Sequence, residues 1–280
     1  MSADEQVQFL QELAQDLNSR EIALPSFPDV VVKIRSALED PQCSSDRLAE
    51  VARTDPVLVS RLLVAANSAF HNRAGIKIVD LDLAISRLGF ETVRNTAIAL
   101  AVEQIFNASQ HVELRERLSA LWDRSIAMSS MCFVIASKLS TVNTDNAFLC
   151  GLLNEVGKLY ILTRARNYPQ FLGDSDSLET VLRDWHPRVG RSIVEAWGFD
   201  PEIASSLDYD GSDTGIAQRD ANLSDVTWAA RLLIDDADAA FAQDPPHPSL
   251  CAVNIDPAGF DKLHEAFELY RQSMRSSVGK

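Results

Sequence analysis

Helix starts and stops punctuate this chain, and strand signals do not. Thr54-Asp55-Pro56 sets a capping side chain before a proline at the first helical position, where the missing N–H costs nothing. Val57, Leu58, Leu62, Ala65 and Ala66 then recur at the three-and-four spacing of one helix face, around Arg61. Ser44-Ser45-Asp46 opens a shorter helix that ends near Arg53, and Asp80 opens another that Gly89 closes. Residues 91–105 continue with Val93, Ala97, Leu100 and Ala101 on one face. The pattern predicts long helices over about 112–139 and 145–165, and a helix from His186 to Trp197 closed by Gly198. Pro201 starts the next one. Val/Ile-rich alternating runs bounded by turns are missing, and only 11 glycines occur in 280 residues. The expected fold class is therefore all-α.

Phe106-Asn107-Ala108-Ser109-Gln110-His111 breaks the pattern and predicts a hinge between two helical lobes, 1–108 and 109–280. Residues 210–222, rich in Gly, Ser and Asp, read as an exposed loop. So does Gln243–Ser249, with Pro245, Pro246 and Pro248. No internal repeat or heptad series is visible.

The charge narrows the function classes. The chain carries 26 basic and 40 acidic residues, a formal net charge of −14. Residues 200–244 alone hold eleven acids and two bases. Non-specific nucleic-acid affinity comes mainly from cationic contacts to phosphate, so a nucleic-acid partner is not expected. The same sign disfavours anionic membranes. No run of about 18 apolar residues predicts a membrane span. The start, Met-Ser-Ala-Asp-Glu-Gln, lacks the basic and apolar regions of a signal peptide, so a cytoplasmic location is expected. The acidic stretch reads as a solvated surface or as a docking face for a basic protein.

The four cysteines, Cys43, Cys132, Cys150 and Cys251, show no CxxC spacing and predict no zinc site. Cys132 and Cys150 sit among apolar residues and read as buried free thiols. No GxSxG, Walker A, GxGxxG or HExxH signature occurs.

Three stretches together resemble the HDOD family, the HD-related output domain of bacterial signalling proteins. The first is Leu24-Pro25-Ser26-Phe27-Pro28. The second runs from Asp55-Pro56 through Arg61-Leu62-Leu63 to Ala66-Asn67-Ser68-Ala69-Phe70, then through Ala84–Gly89 to Arg94-Asn95. The third joins Leu121–Ser125, Phe148–Leu159, His186–Gly190 and Trp197-Gly198. The resemblance spans about 24–212. It implies two helical lobes, the C-terminal one related to the HD superfamily of metal-dependent phosphohydrolases.

In catalytic HD enzymes the ligands are a His, a later His-Asp pair and a final Asp. The resemblance places those positions on Arg124, on Asn154 and Glu155, and on or near Ala230. Additional histidines of two-metal relatives would fall near Tyr209 and Asp210. His186 is the one histidine left at a matching position. Guanidinium stays protonated and cannot ligate, an amide oxygen is a weak ligand, and alanine offers no donor. No metal site, cofactor or catalytic residue is therefore expected.

Removing a dication from a buried cleft leaves any carboxylate uncompensated. Arg124 is expected either to supply that charge to Glu155 or to point to solvent. Asn154 and Lys158 stand four apart, and Glu155 and Lys158 three apart. They read either as a polar edge or, with Arg124, as an anion pocket for a nucleotide or phosphate. His186 reads as a residue at a helix start, packed on Trp185 or bonded to backbone. The resulting expectation is a non-catalytic signalling module that binds a protein or a small ligand. The alternatives are a divergent HD-type metal-dependent phosphohydrolase and a bare scaffold for assembly.

Overall fold

In the computed structural model, residues 2–19, 29–107, 112–139, 141–209, 220–244 and 246–278 are described. Among them fifteen helices occur and no strand. In chain order these are α1 (Ser2–Ser19), α2 (Asp29–Leu38), α3 (Ser45–Ala52), α4 (Pro56–Asn67), α5 (Leu81–Leu88) and α6 (Phe90–Asn107). Next come α7 (Val112–Ala136), α8 (Thr144–Leu153), α9 (Val156–Ala165), α10 (Pro169–Gly173) and α11 (Ser175–Ala196). The last are α12 (Pro201–Leu207), α13 (Leu223–Phe241), α14 (Pro248–Ala252) and α15 (Pro257–Val278). No helix among the described residues is long and apolar enough to cross a membrane.

The boundaries follow local chemistry. Asp55 accepts from the Val57 and Leu58 N–H groups, and Asp80 from Leu83, so each carboxylate satisfies donors left open at a helix start. Ser44 does the same for Arg47. Gly89 closes α5 at φ 79°, where a side chain would be strained.

The chain divides into two compact units, residues 1–24 with 106–256, and residues 25–105 with 257–280. This division differs from the expected 1–108 and 109–280: the first helix joins the later unit and the last helix joins the earlier one. Neither assignment is encoded near either helix in sequence, because both arise from distant packing. The expected hinge is also shifted, since α6 continues through Phe106 and Asn107. Residues 108–111 of that hinge, 24–28 of the entry motif and 210–219 of the expected loop lie outside the described residues.

In the unit holding 106–256, α7 lies along α8, and Phe148 and Leu152 are fully buried between neighbours. Helix α1 docks on this unit through Phe9, whose ring meets Tyr168 edge-on at 5.5 Å and Phe171 at 5.0 Å. Glu5 accepts from the Gln170 and Phe171 N–H groups and so caps α10. Asp16 accepts from the Tyr160 hydroxyl at 2.8 Å and from Arg164 at 2.9 Å.

In the other unit, α4 packs against α5 and α15, and Phe70 meets Tyr270 edge-on at 4.7 Å. Asn67 grips the following loop with both ends of its amide. It donates to the Ile78 carbonyl at 2.7 Å and accepts from the Ile78 N–H at 2.8 Å. One side chain thereby satisfies both backbone groups of a residue outside any helix.

Candidate functional site

Two glycines frame the site. An ideal Cβ on Gly151 would lie 2.5 Å from the Met128 carbonyl and the Ser129 Cα. One on Gly157 would lie 2.1 Å from the His186 carbonyl oxygen and 2.9 Å from the Gly190 nitrogen. Only hydrogen fits at either crossing, so α8 touches α7, and α9 touches α11, backbone to backbone.

The expected single helix over 145–165 is two helices. Helix α8 ends at Leu153, α9 begins at Val156, and Glu155 adopts φ −93°, ψ 0°. The Asn154 N–H turns back to the Gly151 carbonyl at 3.3 Å instead of continuing the α ladder. This break aims the buried Asn154 and Glu155 side chains into the fold. Glu155 is 1% exposed and Asn154 3%.

The expected ion pair between Arg124 and Glu155 is present. Arg124 Nε donates to Glu155 Oε1 at 2.8 Å. Lys158 Nζ stands 2.9 Å from the other oxygen, Oε2, as an ion pair without the alignment of a full hydrogen bond. Arg124 Nη1 reaches on to Asp235 Oδ1 at 2.6 Å. Burial alone would push the Glu155 carboxyl up, but Lys158 and Arg124 outweigh it and hold it below the usual carboxylate range. Burial opposes the charge on Arg124 as well, and Asp235 and Glu155 more than restore it.

Asn154 and Lys158 do not act together, because the break turns their side chains to different partners. Asn154 Oδ1 accepts from Arg231 Nη2 at 3.3 Å. The Arg231 guanidinium lies 4.9 Å over the Trp228 ring. Burial lowers its affinity for a proton, and no carboxylate lies within ion-pair distance of it among the described residues.

His186 is not at a helix start. Helix α11 begins eleven residues earlier, at Ser175, and carries Pro187 inside it. Pro187 has no N–H for the Arg183 carbonyl. The His186 ring nitrogen Nδ1 lies 2.8 Å from the Leu182 carbonyl and 3.2 Å from that of Arg183. Two carbonyl neighbours require Nδ1 to carry the hydrogen, so the imidazole repairs the gap that proline leaves. Burial, with Lys158 and Arg231 nearby, lowers its pKa to about 4.

The remaining expected positions contribute less. Ala230 is buried and supplies only a methyl group. Tyr209 packs edge-on to Trp228 at 6.0 Å, and Asp210 lies outside the described residues. Sequence reasoning missed Arg231 and Asp235. Their i, i+4 spacing beside Trp228 was the available signal.

The donor set does not fit the metal that an HD site implies. At the positions that the resemblance gives to the ligands stand a guanidinium, a neutral amide and an alanine, and both oxygens of Glu155 face cations. Among the described residues no group of three or more His, Cys, Asp or Glu is arranged to hold an ion. All four cysteines are free, and burial pushes the Cys150 thiol up to about 12, away from the nucleophilic thiolate.

The described residues form an all-α fold with a helix break between two glycine crossings. The comparisons narrow that class. The HDOD domain family model matches residues 24–211, and the chain belongs to that family. A crystal structure from Shewanella amazonensis SB2B, provisionally assigned as a metal-dependent phosphohydrolase, is similar with a TM-score of 0.78. It is 22% identical over 97% of this chain and 99% of that one. A protein from Marinobacter aquaeolei VT8, provisionally assigned to signal transduction, gives a TM-score of 0.63. It is 18% identical over 99% of this chain and 68% of that one. An uncharacterized protein of Treponema pallidum (strain Nichols) is 20% identical over 215 residues, 71% of this chain. The chain spans 39% of the length of that relative.

Proposed function

We propose that this protein is a non-catalytic regulatory module of bacterial signal transduction, acting through protein binding, with its HD-type cleft degenerate. The observation that carries the reading is the chain of charges Lys158–Glu155–Arg124–Asp235. It ties two carboxylates and two cations together at and beside Arg124 and Glu155, two of the positions that the resemblance gives to HD metal ligands. A buried carboxylate must be compensated, and here side chains do it, so an entering dication would have to expel Arg124. Family membership and the fold shared with the Marinobacter protein support a signalling role.

The reading places the protein in the cytoplasm, which its free thiols suit. A nucleotide or phosphate ligand at Lys158 and Arg124 gains little support, since both cations already face Glu155. The partner surface that the sequence suggests, around 210–222, remains part of the proposal. The second reading, a divergent metal-dependent phosphohydrolase, draws on the fold shared with the Shewanella protein. Elemental analysis of purified protein with a phosphodiesterase and phosphatase screen separates the two. Stoichiometric iron, manganese or zinc with turnover supports the second.

A further inference from the structure

The unit made of residues 25–105 and 257–280 carries a face that the reading above leaves unused. A groove of about 880 Å³ runs between α4 and α15. Leu63, Val64 and Asn67 line it from α4, Leu269 and Ser273 from α15, and Val79 also lines it. Val64, Val79 and Leu269 line the groove and are exposed, and Ile76, Leu83 and Val57 are exposed on the same unit. Six of the eight exposed large apolar side chains among the described residues belong to this unit's α4, α5, α15 and 76–79 segment. Exposed apolar side chains gathered along a groove mark an interaction site.

We propose that the face is the interface of a homodimer, its occupant being a second copy of the chain. Two features make the face complementary to itself. The first is shape. Val57, Ser60 and Val64 form an exposed row along α4, and Leu269, Gln272 and Ser276 an exposed row along α15, both at i, i+3, i+7. A groove between two ridges of equal pitch accepts the ridge of a two-fold-related copy. The second feature is charge. Lys77 is the only charged residue lining the groove, in a chain of net charge −14. One turn before Leu269 on α15 stands Glu265, in an adjoining cavity that shares Leu269 and Gln272 with the groove. Neither Lys77 nor Glu265 has an ion-pair partner among the described residues. Their neighbours Glu268 and Arg271 engage each other at 2.7 Å. A two-fold axis through the face sets Lys77 of each copy against Glu265 of the other, with the apolar residues between.

The test is sedimentation velocity of the full chain over a micromolar concentration series. The expected result is a dimer that Leu269→Asp converts to monomer with unchanged circular dichroism. Lys77→Glu is expected to weaken association about tenfold or more, because like charges then meet at both symmetric contacts. Adding Glu265→Lys to Lys77→Glu restores the dimer. Carbodiimide crosslinking of mixed light and heavy-nitrogen wild-type chains is expected to join Lys77 to Glu265 between copies, independently of any variant. A wild-type chain monomeric at about 100 µM, weaker than standard interfaces, overturns the proposal and leaves the face to a different partner. A dimer indifferent to Leu269→Asp overturns it too.

Discussion

Arg124 Nε meets Glu155 Oε1 at 2.8 Å, joining residues thirty-one apart in the chain. The carboxylate is almost wholly buried, and the guanidinium also holds Asp235. Breaking a buried pair leaves an uncompensated charge. Glu155→Gln is expected to cost about 3 kcal/mol in urea denaturation, since it removes the partner of Lys158 and one of the two carboxylates that hold Arg124. A double-mutant cycle with Arg124→Met is expected to give a coupling energy of about 1–3 kcal/mol.

Gly157→Ala tests the α9–α11 crossing. Its methyl group would enter the His186 carbonyl, and backbone cannot swing aside as a side chain can. The expected loss is about 3 kcal/mol or more in thermal or chemical unfolding. Gly190→Ala is the control, because its Cβ would meet nothing closer than the end of Leu207 at 3.4 Å and the Gly157 backbone nitrogen at 3.6 Å, both ordinary contacts. That substitution should cost about 1 kcal/mol or less.

His186 should stay neutral far below the ordinary histidine range. Its folded pKa, lowered to about 4 by burial and by Lys158 and Arg231, lies under the unfolded value. Between the two the unfolded chain binds the extra proton, so this group's contribution to stability is full above about pH 6.5 and is lost as pH falls toward 4. A nuclear magnetic resonance titration should show the His186 ring unshifted until about pH 4. A midpoint near 6.5 would contradict the burial account.

Asn67→Ala removes both hydrogen bonds to Ile78. The expected cost is about 1–2 kcal/mol. Amide exchange should accelerate at Ile78, whose N–H loses its acceptor, more than in α4.

How much of this was legible depended on how local each signal is. Asp55, Asp80 and Gly89 act within four residues of themselves, and the sequence marks them directly. The helix period fixes the class as all-α for the same reason. The break at Asn154–Glu155 carried no proline and no glycine at its turn, so periodicity ran straight through it. Its cause is tertiary, two backbone crossings six residues apart at Gly151 and Gly157. The expected helix start is His186, next to Pro187, because proline favours the first helical position. What lets it sit inside α11 is the imidazole of the residue before it, visible only once the ring is placed. Arg124 was legible as a replaced ligand position. Arg231 and Asp235 were missed because the resemblance pointed to Ala230, one residue short of the side chain that reaches Asn154.

The central claim is that side chains, not a metal ion, compensate Glu155. The most direct measurement is elemental analysis of protein purified from cells supplied with manganese, iron and zinc, paired with Glu155→Gln made the same way. The account predicts metal far below one ion per chain in both proteins, with the variant less stable. One or more ions per wild-type chain, lost in Glu155→Gln, would contradict it.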